Sequence, residues 1–304
     1  MAAEWLDKQR PALATVTATK AEWLLSLVPN LDPLPLGDIT PPMILSALRR
    51  IEAKGQHETA RRVKQRIGQV FRYAVAHGRA ERDPTVDLRG ALTPVKSTPH
   101  AAITDPAKMG DLLRALDGYS GQPATAAALK LGPLLFVRPG ELRRMEWAEL
   151  DLDGAEWRIP ADKMKMREAH IVPLASQAVN MLRELRPLTG RSRFCFPSLR
   201  TADRPMSENA INAALRRMEF DGDTMTGHGF RAMASTRLNE LGWAPDVIER
   251  QLAHAKRNNV RAVYNRTQYM AERRKIMQAW ADNLDAWRTN ANVVPIKRKA
   301  TTQA

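Results

Sequence analysis

Apolar residues recur at intervals of three and four positions through most of the chain, a spacing that predicts helices rather than strands. In "ETARRVKQRIGQVFRYAVAHG" the recurring positions are Val63, Ile67, Val70, Phe71, Ala74 and Val75. The preceding segment, "ITPPMILSALRRIEAKG", offers Thr40 as an N-cap, prolines in the first turn and Gly55 as a terminator. The first hundred residues are therefore expected to be helical.

The helical pattern is interrupted by "GALTPVKSTPHAAITDP", which contains three prolines and no periodicity. Such a stretch is typical of a linker, and 304 residues are enough for two domains of ordinary size. We expect a shortened helical domain over residues 1–92, a linker over 93–102, a second domain over 103–290 and a basic, disordered tail over 291–304.

The second domain is expected to combine helices with one hairpin. The runs "AEWRIP" and "EAHIVPL" are short and strand-like, and "ADKMKMR" between them is typical of a hairpin connection. The last helical pattern carries a stripe of Met277, Trp280, Leu284 and Trp287, which either packs on its own domain or docks on a neighbouring subunit. The expected fold class is mainly α, with a small antiparallel β-sheet in the second domain.

The charge of the chain points to its partner. The sequence has 47 Lys and Arg against 33 Asp and Glu, a net charge of +14 and a pI near 10.3, values typical of nucleic-acid binders. No apolar run approaches the length of a membrane span, and the first residues lack the layout of a signal peptide. The single cysteine, Cys195, excludes an internal disulfide framework and a CxxC zinc site.

The positive charge is localised in the first domain. Between Arg49 and Arg82 there are ten Lys and Arg and three Asp and Glu, a net charge of +7. Because the signs are not mixed, a polyanion partner is favoured over an ordinary solvated helix face. The candidate DNA-binding residues fall mainly off the apolar stripe: Arg61, Arg62, Lys64, Arg66 and Arg72.

Several reactive side chains of the second domain lie where an element begins or ends. Arg138 follows the apolar run of "LGPLLFVRPGEL" and precedes Pro139 at a predicted helix start, where Glu141 can orient its guanidinium. A lysine, Lys163 or Lys165, lies at the hairpin. Alternation does not choose between the two lysines, because both fall on one strand face.

Two further segments carry reactive groups. "TGHGFRAM" sets His228 and Arg231 three residues apart at a predicted helix start, with Thr226 as its cap, and "QLAHAKRNNVRAVYNR" contains His254 and Tyr264. Taken singly, each has an ordinary structural interpretation: a solvated arginine, a hydrogen-bonded histidine or a packed tyrosine. Only their combination in one chain favours a catalytic site.

The order Arg…Lys…His-x-x-Arg…His…Tyr resembles the active site of the tyrosine recombinases, the phage integrase family. The segments that carry the resemblance are "FVRPGELRRMEWAELDL", "WRIPADKMKMREAHIVPLA", "RPMSENAINAALRRM", "MTGHGFRAMASTRLNE" and "IERQLAHAKRNNVRAVYNR". They look like prophage-type integrases of the satellite-phage kind. The basic N-terminal helices similarly look like the core-binding domain of that family.

The resemblance implies a site-specific recombinase that cuts DNA through a 3′-phosphotyrosyl intermediate and rejoins it, integrating or excising a mobile element. Tyr264 would be the nucleophile, with Tyr269 as its rival. Arg138 and Arg231 would bind the non-bridging phosphate oxygens, on which negative charge gathers in the transition state.

The resemblance also implies roles for the remaining reactive groups. His228 would transfer a proton near the phosphate, and its place at a helix N-terminus favours the neutral imidazole that a base requires. His254 would donate a hydrogen bond to the phosphate. Lys165 would be the general acid for the leaving oxygen; it is preferred over Lys163 because the family lysine sits at the hairpin turn.

This chemistry requires no metal and no other cofactor. The sequence agrees, because it contains no HExxH, no paired Cys/His spacing and no GxxxxGK[ST] loop. The implied partners are double-stranded DNA with an attachment-site core, copies of the chain in a synaptic tetramer, and DNA-bending accessory proteins. No membrane is implied, and the expected location is the bacterial cytoplasm, in association with the nucleoid.

Where the chain begins departs from the family pattern. "MAAEWLDKQR" resembles a position inside the core-binding domain, so the arm-binding domain that usually precedes it is expected to be missing from this sequence. The sequence is then a naturally short form, a fragment or the product of a mis-called start. Three alternatives remain: a non-catalytic DNA-binding integrase remnant, a type IB topoisomerase-like activity that relaxes one duplex, and a metal-dependent nuclease. The intact set of reactive residues argues against a remnant, and EDTA would inhibit the nuclease alone.

Overall fold

The computed structural model describes residues 1–96, 100–164, 166–254 and 269–289. The chain divides between residues 98 and 99 into two compact units, here called the N-terminal and C-terminal units. The predicted fold class is confirmed, because the chain is mainly helical with one small antiparallel sheet. Among the described residues, none of the helices combines the length and apolar character needed to cross a lipid bilayer.

The N-terminal unit is a helical bundle joined by short 3₁₀ turns. Its helices are α1 (Ala2–Gln9), α2 (Thr15–Ser26), α3 (Pro41–Glu52) and α4 (His57–Ala76). Helix α3 begins as predicted, with Thr40 extended at the N-cap and prolines in the first turn. The apolar stripe of α4 is buried against α2 and α3, except that Val75 is exposed. Val75 lies one position after the buried Ala74, and this places it about 100° further around the helix.

The C-terminal unit is organised around one apolar helix. Its helices are α5 (Pro106–Asp117), α6 (Pro123–Leu135), α7 (Pro139–Leu142), α8 (Ser176–Thr189), α9 (Ala210–Arg217), α10 (Gly229–Glu240), α11 (Pro245–Gln251) and α12 (Met270–Arg288). Helix α6 is apolar on nearly all sides, as expected of a central helix. It packs against α5, α8, α9, α10 and α12.

A three-stranded antiparallel sheet lies at one side of this unit. Its strands are β1 (Leu150–Asp151), β2 (Glu156–Ile159) and β3 (His170–Pro173). Strands β2 and β3 are the predicted hairpin, with Trp157 opposite Val172 and Ile159 opposite His170. Strand β1 was not predicted, because two residues are too few to show an alternation of apolar and polar positions.

The connection between β2 and β3 corrects one step of the sequence argument. Ala161–Lys163 form a 3₁₀ turn, so Lys163 does not lie on a strand. The argument that Lys163 and Lys165 share one strand face therefore does not apply, and Lys165 lies outside the described residues.

The stripe on α12 packs within its own unit. Met277, Trp280, Leu284 and Trp287 are all buried in the core that α12 shares with α5 and α6. The indole Nε1 of Trp280 donates to the carbonyl of Pro133 at 2.8 Å, in the last turn of α6, where carbonyls lack helical partners. Of the two alternatives for the stripe, the structure supports packing on the same chain.

Candidate active site

The end of helix α6 determines where Arg138 lies. Phe136 adopts the left-handed region with φ of 36° and stops the helix. Arg138 is extended, with φ of −65° and ψ of 141°, because the residue before a proline avoids helical backbone angles. Pro139 then begins α7, which brings Glu141 back toward Arg138.

Glu141 orients Arg138, as the sequence suggested. This buried carboxylate accepts from the Arg138 backbone N–H at 3.0 Å and from its Nη1 at 2.8 Å. The other guanidinium nitrogen, Nη2, donates to the carbonyl of Ala253 at 3.1 Å. Arg138 is thus fixed from two sides, while about a quarter of its side chain, 23%, stays accessible.

Arg231 is more deeply placed, in the first turn of α10, and only 5% of the residue is exposed. Its Nη1 donates to the carbonyl of Phe136 at 3.0 Å, and its Nη2 to the carbonyl of Leu252 at 2.7 Å. Burial and the nearby Arg138 guanidinium lower the pKa of Arg231 to about 10. The side chain therefore remains a cation at neutral pH.

The two guanidinium groups converge on one stretch of backbone after α11. Arg231 binds the carbonyl of Leu252 and Arg138 binds the next carbonyl, that of Ala253, whose φ of 49° is also left-handed. Two left-handed residues, Phe136 and Ala253, thus present carbonyls to the two arginines. Preorganised guanidinium donors of this kind suit a phosphate or another oxyanion.

His254 joins this cluster from the same stretch. Its Nδ1 lies 2.7 Å from the Glu249 carboxylate, and its Nε2 lies 3.2 Å from Nη2 of Arg231. Because Arg231 has only donors, Nε2 accepts here and Nδ1–H donates to Glu249. In this arrangement Nε2 is occupied by Arg231.

His228 occupies the N-cap position of α10, three residues before Arg231. Thr226 helps to shape this start, because its hydroxyl oxygen accepts from the N–H of Gly229 at 3.1 Å. The imidazole is half-buried, and burial, with His100 and Arg231 next in importance, lowers the pKa of His228 to about 4. His228 is therefore neutral at pH 7, as its expected role as a base requires.

Sequence reasoning missed His100 at this site. Its ring lies 4.3 Å from that of His228, centroid to centroid, at an interplanar angle of 44°. His100 falls within the proline-rich stretch expected to be a linker, where no periodicity marks a residue as important. Only the folded chain brings the two rings together.

Of the two candidate lysines and the two candidate tyrosines, the structure describes one each. Lys163 is held by Glu146 at 2.7 Å and by Glu149. Tyr269 packs against the core of the C-terminal unit at the N-cap of α12. Their rivals, Lys165 and Tyr264, lie outside the described residues.

The candidate DNA-binding residues on α4 have intramolecular partners. Arg61 and Arg62 pair with Glu58 at 3.7 and 2.8 Å. The other three donate to groups within the N-terminal unit: Arg72 to Asp83, Lys64 to the carbonyl of Leu88, and Arg66 to the amide oxygen of Gln69. Arg61, Arg62 and Arg72 are nevertheless exposed, so these contacts leave their guanidinium groups in reach of solvent.

A buried polar cluster supports the backbone that holds the arginines. Arg273 of α12, 0% exposed, donates from Nε to the side-chain oxygen of Gln251 at 2.8 Å and from Nη2 to the carbonyl of Ile171. His170 of β3 contacts the carbonyl of Gln251 at 3.2 Å. The cluster ties the end of α11, directly before the carbonyls that bind Arg231 and Arg138, to strand β3 and helix α12.

Carboxylates near this site neutralise arginines rather than form a metal centre. Within the described ranges of the chain, no three His, Cys, Asp or Glu side chains are grouped as ligands of a metal ion.

Comparison with known proteins places this geometry in a family context. Residues 1–91 match the phage integrase central domain, and residues 104–270 match the phage integrase family. The integrase of Enterobacteria phage P4 is 40% identical over 276 residues, which are 86% of this chain and 63% of that protein. The integrase of Shigella phage Sf6 is 35% identical over 286 residues, or 93% of this chain and 74% of that protein.

Solved structures show the same fold at low identity. A dimer of lambda integrase residues 75–356 bound to a COC′ core site has a TM-score of 0.65 and 21% identity, covering 83% of this chain and 94% of that one. A lambda integrase tetramer bound to a Holliday junction has a TM-score of 0.63 and 20% identity, covering 84% and 78%. The chain spans less than two thirds of the phage P4 integrase, 63% of its length.

Proposed function

Because the chain belongs to the phage integrase family, the tyrosine recombinases, we propose that it cuts and rejoins DNA at specific sites through a 3′-phosphotyrosyl intermediate. The observation that carries this proposal is the convergence of Arg138 and Arg231 on the consecutive carbonyls of Leu252 and Ala253. Two fixed cations at one point are the arrangement needed to hold one phosphodiester.

In this proposal Tyr264 is the nucleophile. Its phenolic oxygen forms a bond to phosphorus while the bond from phosphorus to the 5′ oxygen breaks. The phenolic proton passes to His228, and Lys165 gives a proton to the leaving 5′ oxygen. A phenol with a pKa near 10 needs such help at neutral pH. The phosphotyrosyl ester retains the energy of the broken bond, so another 5′-hydroxyl can reverse the step and join a new strand.

The arginines stabilise the charge that this step creates. Negative charge grows on the two non-bridging oxygens, and Arg138 and Arg231 offer charge-assisted hydrogen bonds to them. With its pKa lowered to about 4, His228 is neutral at pH 7, the state from which an imidazole can accept a proton. The engagement of Lys163 by Glu146 and Glu149 favours Lys165 as the general acid.

His254 requires one rearrangement before it can donate to the phosphate. Its Nε2 accepts from Arg231 in the described state, so this bond must be released and Nε2 must carry a proton. The ring can turn because its side chain is 45% exposed. A phosphate oxygen between Arg231 and His254 would supply the acceptor that both groups then need.

The proposed partners follow from this chemistry. The exposed arginines of α4 and the net charge of +14 suit the phosphate backbone of double-stranded DNA with an attachment-site core. Lambda integrase binds a core site as a dimer and a Holliday junction as a tetramer, so a synaptic tetramer is proposed here, with DNA-bending proteins as accessories. The bacterial nucleoid, in the cytoplasm, is the corresponding location.

A suicide-substrate assay tests the proposal. The protein is mixed, in EDTA, with nicked duplexes that carry the genomic junctions flanking its gene, and covalent products are separated on denaturing gels. We expect a covalent protein–DNA band with the wild type and with Tyr269→Phe, and none with Tyr264→Phe. DNA that is bound but never joined to the protein would instead indicate a non-catalytic remnant.

A further inference from the structure

His100 places a second imidazole directly against His228. The ring centroids are 4.3 Å apart and the planes are inclined by 44°. His228 is half-buried beneath it, whereas His100 is exposed. One face of the His228 ring is therefore covered by a titratable group that stands between it and the solvent.

A glycine at the start of α10, Gly229, leaves room for the segment that carries His100. A Cβ atom on Gly229 would lie 2.3 Å from the carbonyl oxygen of Ala101 and 3.0 Å from the sulfur of Met225. The backbone after His100 thus passes so close to the start of α10 that a side chain at residue 229 would displace it. The contact between the two imidazoles depends on this close approach.

The groups that act most strongly on the charge of His228 are positively charged or can become so, and the Glu141 and Glu249 carboxylates pair instead with Arg138 and His254. After burial, the groups that lower its pKa are, in order of importance, His100, Arg231, Arg138 and His254. All four are cations or can become cations, and each positive charge opposes protonation of His228. His100 differs from the other three because its ring lies against the His228 ring, 4.3 Å away between centroids.

We propose that His100 is a further positioning residue of the active site: its ring covers one face of His228 and disfavours protonation of this imidazole. What the neutral imidazole does in catalysis rests on the proposed function. The state of the ring itself does not, because it follows from burial, contact and charge alone. His100 acts on the reaction only through His228.

The size of the effect follows from the distance between the rings. A unit charge 4.3 Å away, screened as strongly as in bulk water, displaces a pKa by about 0.7. Replacing His100 by phenylalanine retains the covering ring and removes the charge, so the pKa of His228 should rise by about that amount. Replacing it by alanine also uncovers the ring, which restores hydration and should raise the pKa further.

Histidine-selective NMR tests this directly on the whole chain. Six histidines give few signals, and His228→Gln identifies the one of interest. We expect the His228 signal to titrate at higher pH in His100→Phe, and higher still in His100→Ala. His77→Phe is the matched control, because His77 is exposed and stacks on Tyr73 at 4.1 Å and 43°, and it should leave the His228 titration unchanged. An unchanged titration in both His100 variants would overturn the proposal.

Cleavage kinetics provide the second readout. With the pKa of His228 moved up by about 0.7 from about 4, the rate at pH 4.5 relative to pH 7.5 should fall about twofold more in His100→Phe than in the wild type. If the wild type forms no covalent complex, the proposed function fails while the NMR result still decides the role of His100. If cleavage occurs and neither readout changes, only the role of His100 is refuted.

Discussion

Glu141→Gln tests whether the buried carboxylate acts by orienting Arg138. The carboxylate accepts from the Arg138 backbone N–H at 3.0 Å and from Nη1 at 2.8 Å. Glutamine has nearly the same shape, but its amide oxygen can serve only one of these donors while its NH₂ group faces the other. The variant therefore removes one charge-assisted hydrogen bond without opening a cavity.

The expected loss is set by that bond. A hydrogen bond to a charged group contributes about 1.5–3 kcal/mol. If Arg138 needs it to meet the transition state, cleavage slows by about 10- to 150-fold. Arg138→Ala removes the donor completely and should slow cleavage by about 100- to 1000-fold, which is the largest loss expected. Because removing a carboxylate makes the site more positive, the loss should fall on the rate of cleavage and not on DNA binding.

Single-turnover formation of the covalent complex measures this rate. Glu208→Gln is the matched control, since Glu208 pairs with Arg143 at the same distance, 2.8 Å, but is 75% exposed; such pairs contribute little. The double variant Arg138→Ala/Glu141→Gln should be no slower than Arg138→Ala. The reasoning is refuted if Glu141→Gln cleaves within twofold of the wild type, or if the two losses multiply.

Two further predictions concern stability. Burial, with Arg273 and Arg250, lowers the pKa of His170 from 6.5 to about 3, so its stabilising effect is complete above pH 6.5 and is lost as the pH falls toward 3. Between pH 7 and 4.5 this loss is about 1–3 kcal/mol; in urea titrations His170→Gln should show a correspondingly weaker pH dependence, and an equal dependence would contradict the assignment. Gly229→Ala should lower the free energy of unfolding by about 1–3 kcal/mol, because its Cβ would meet Ala101 at 2.3 Å. Gly37→Ala, with nothing within 4 Å of the added atom, should not, and equal urea midpoints for these two glycine variants would refute the steric argument.

Features that depend on neighbours in the sequence were predictable. The helices α3 and α4, the hairpin of β2 and β3 and the orientation of Arg138 by Glu141 all follow from contacts within a few residues. Periodicity, proline placement and spacing record such contacts directly. The family resemblance added the association of Arg138 with Arg231, which no local pattern contains.

Features that depend on backbone groups or on distant segments were not predictable. The carbonyls of Phe136 and Leu252 bind Arg231, but a main-chain oxygen leaves no mark in the sequence. His100 reaches His228 across more than a hundred residues, from a stretch without periodicity. The pairing of Lys163 with Glu146 and Glu149 likewise joins separate segments and leaves no mark in the sequence.

The left-handed residues explain how the two arginines are held in place. A non-glycine residue in this region costs about 1–2 kcal/mol, and both Phe136 and Ala253 adopt it, with φ of 36° and 49°. In each case the carbonyl of the left-handed residue accepts from an arginine, Arg231 or Arg138. The strained residues thus supply carbonyl acceptors, and these hydrogen bonds offset part of the cost of burying and fixing two cations. In the proposed function these donors need no reorganisation to bind a phosphodiester, and of the described site residues His254 is the one that has to exchange a hydrogen bond.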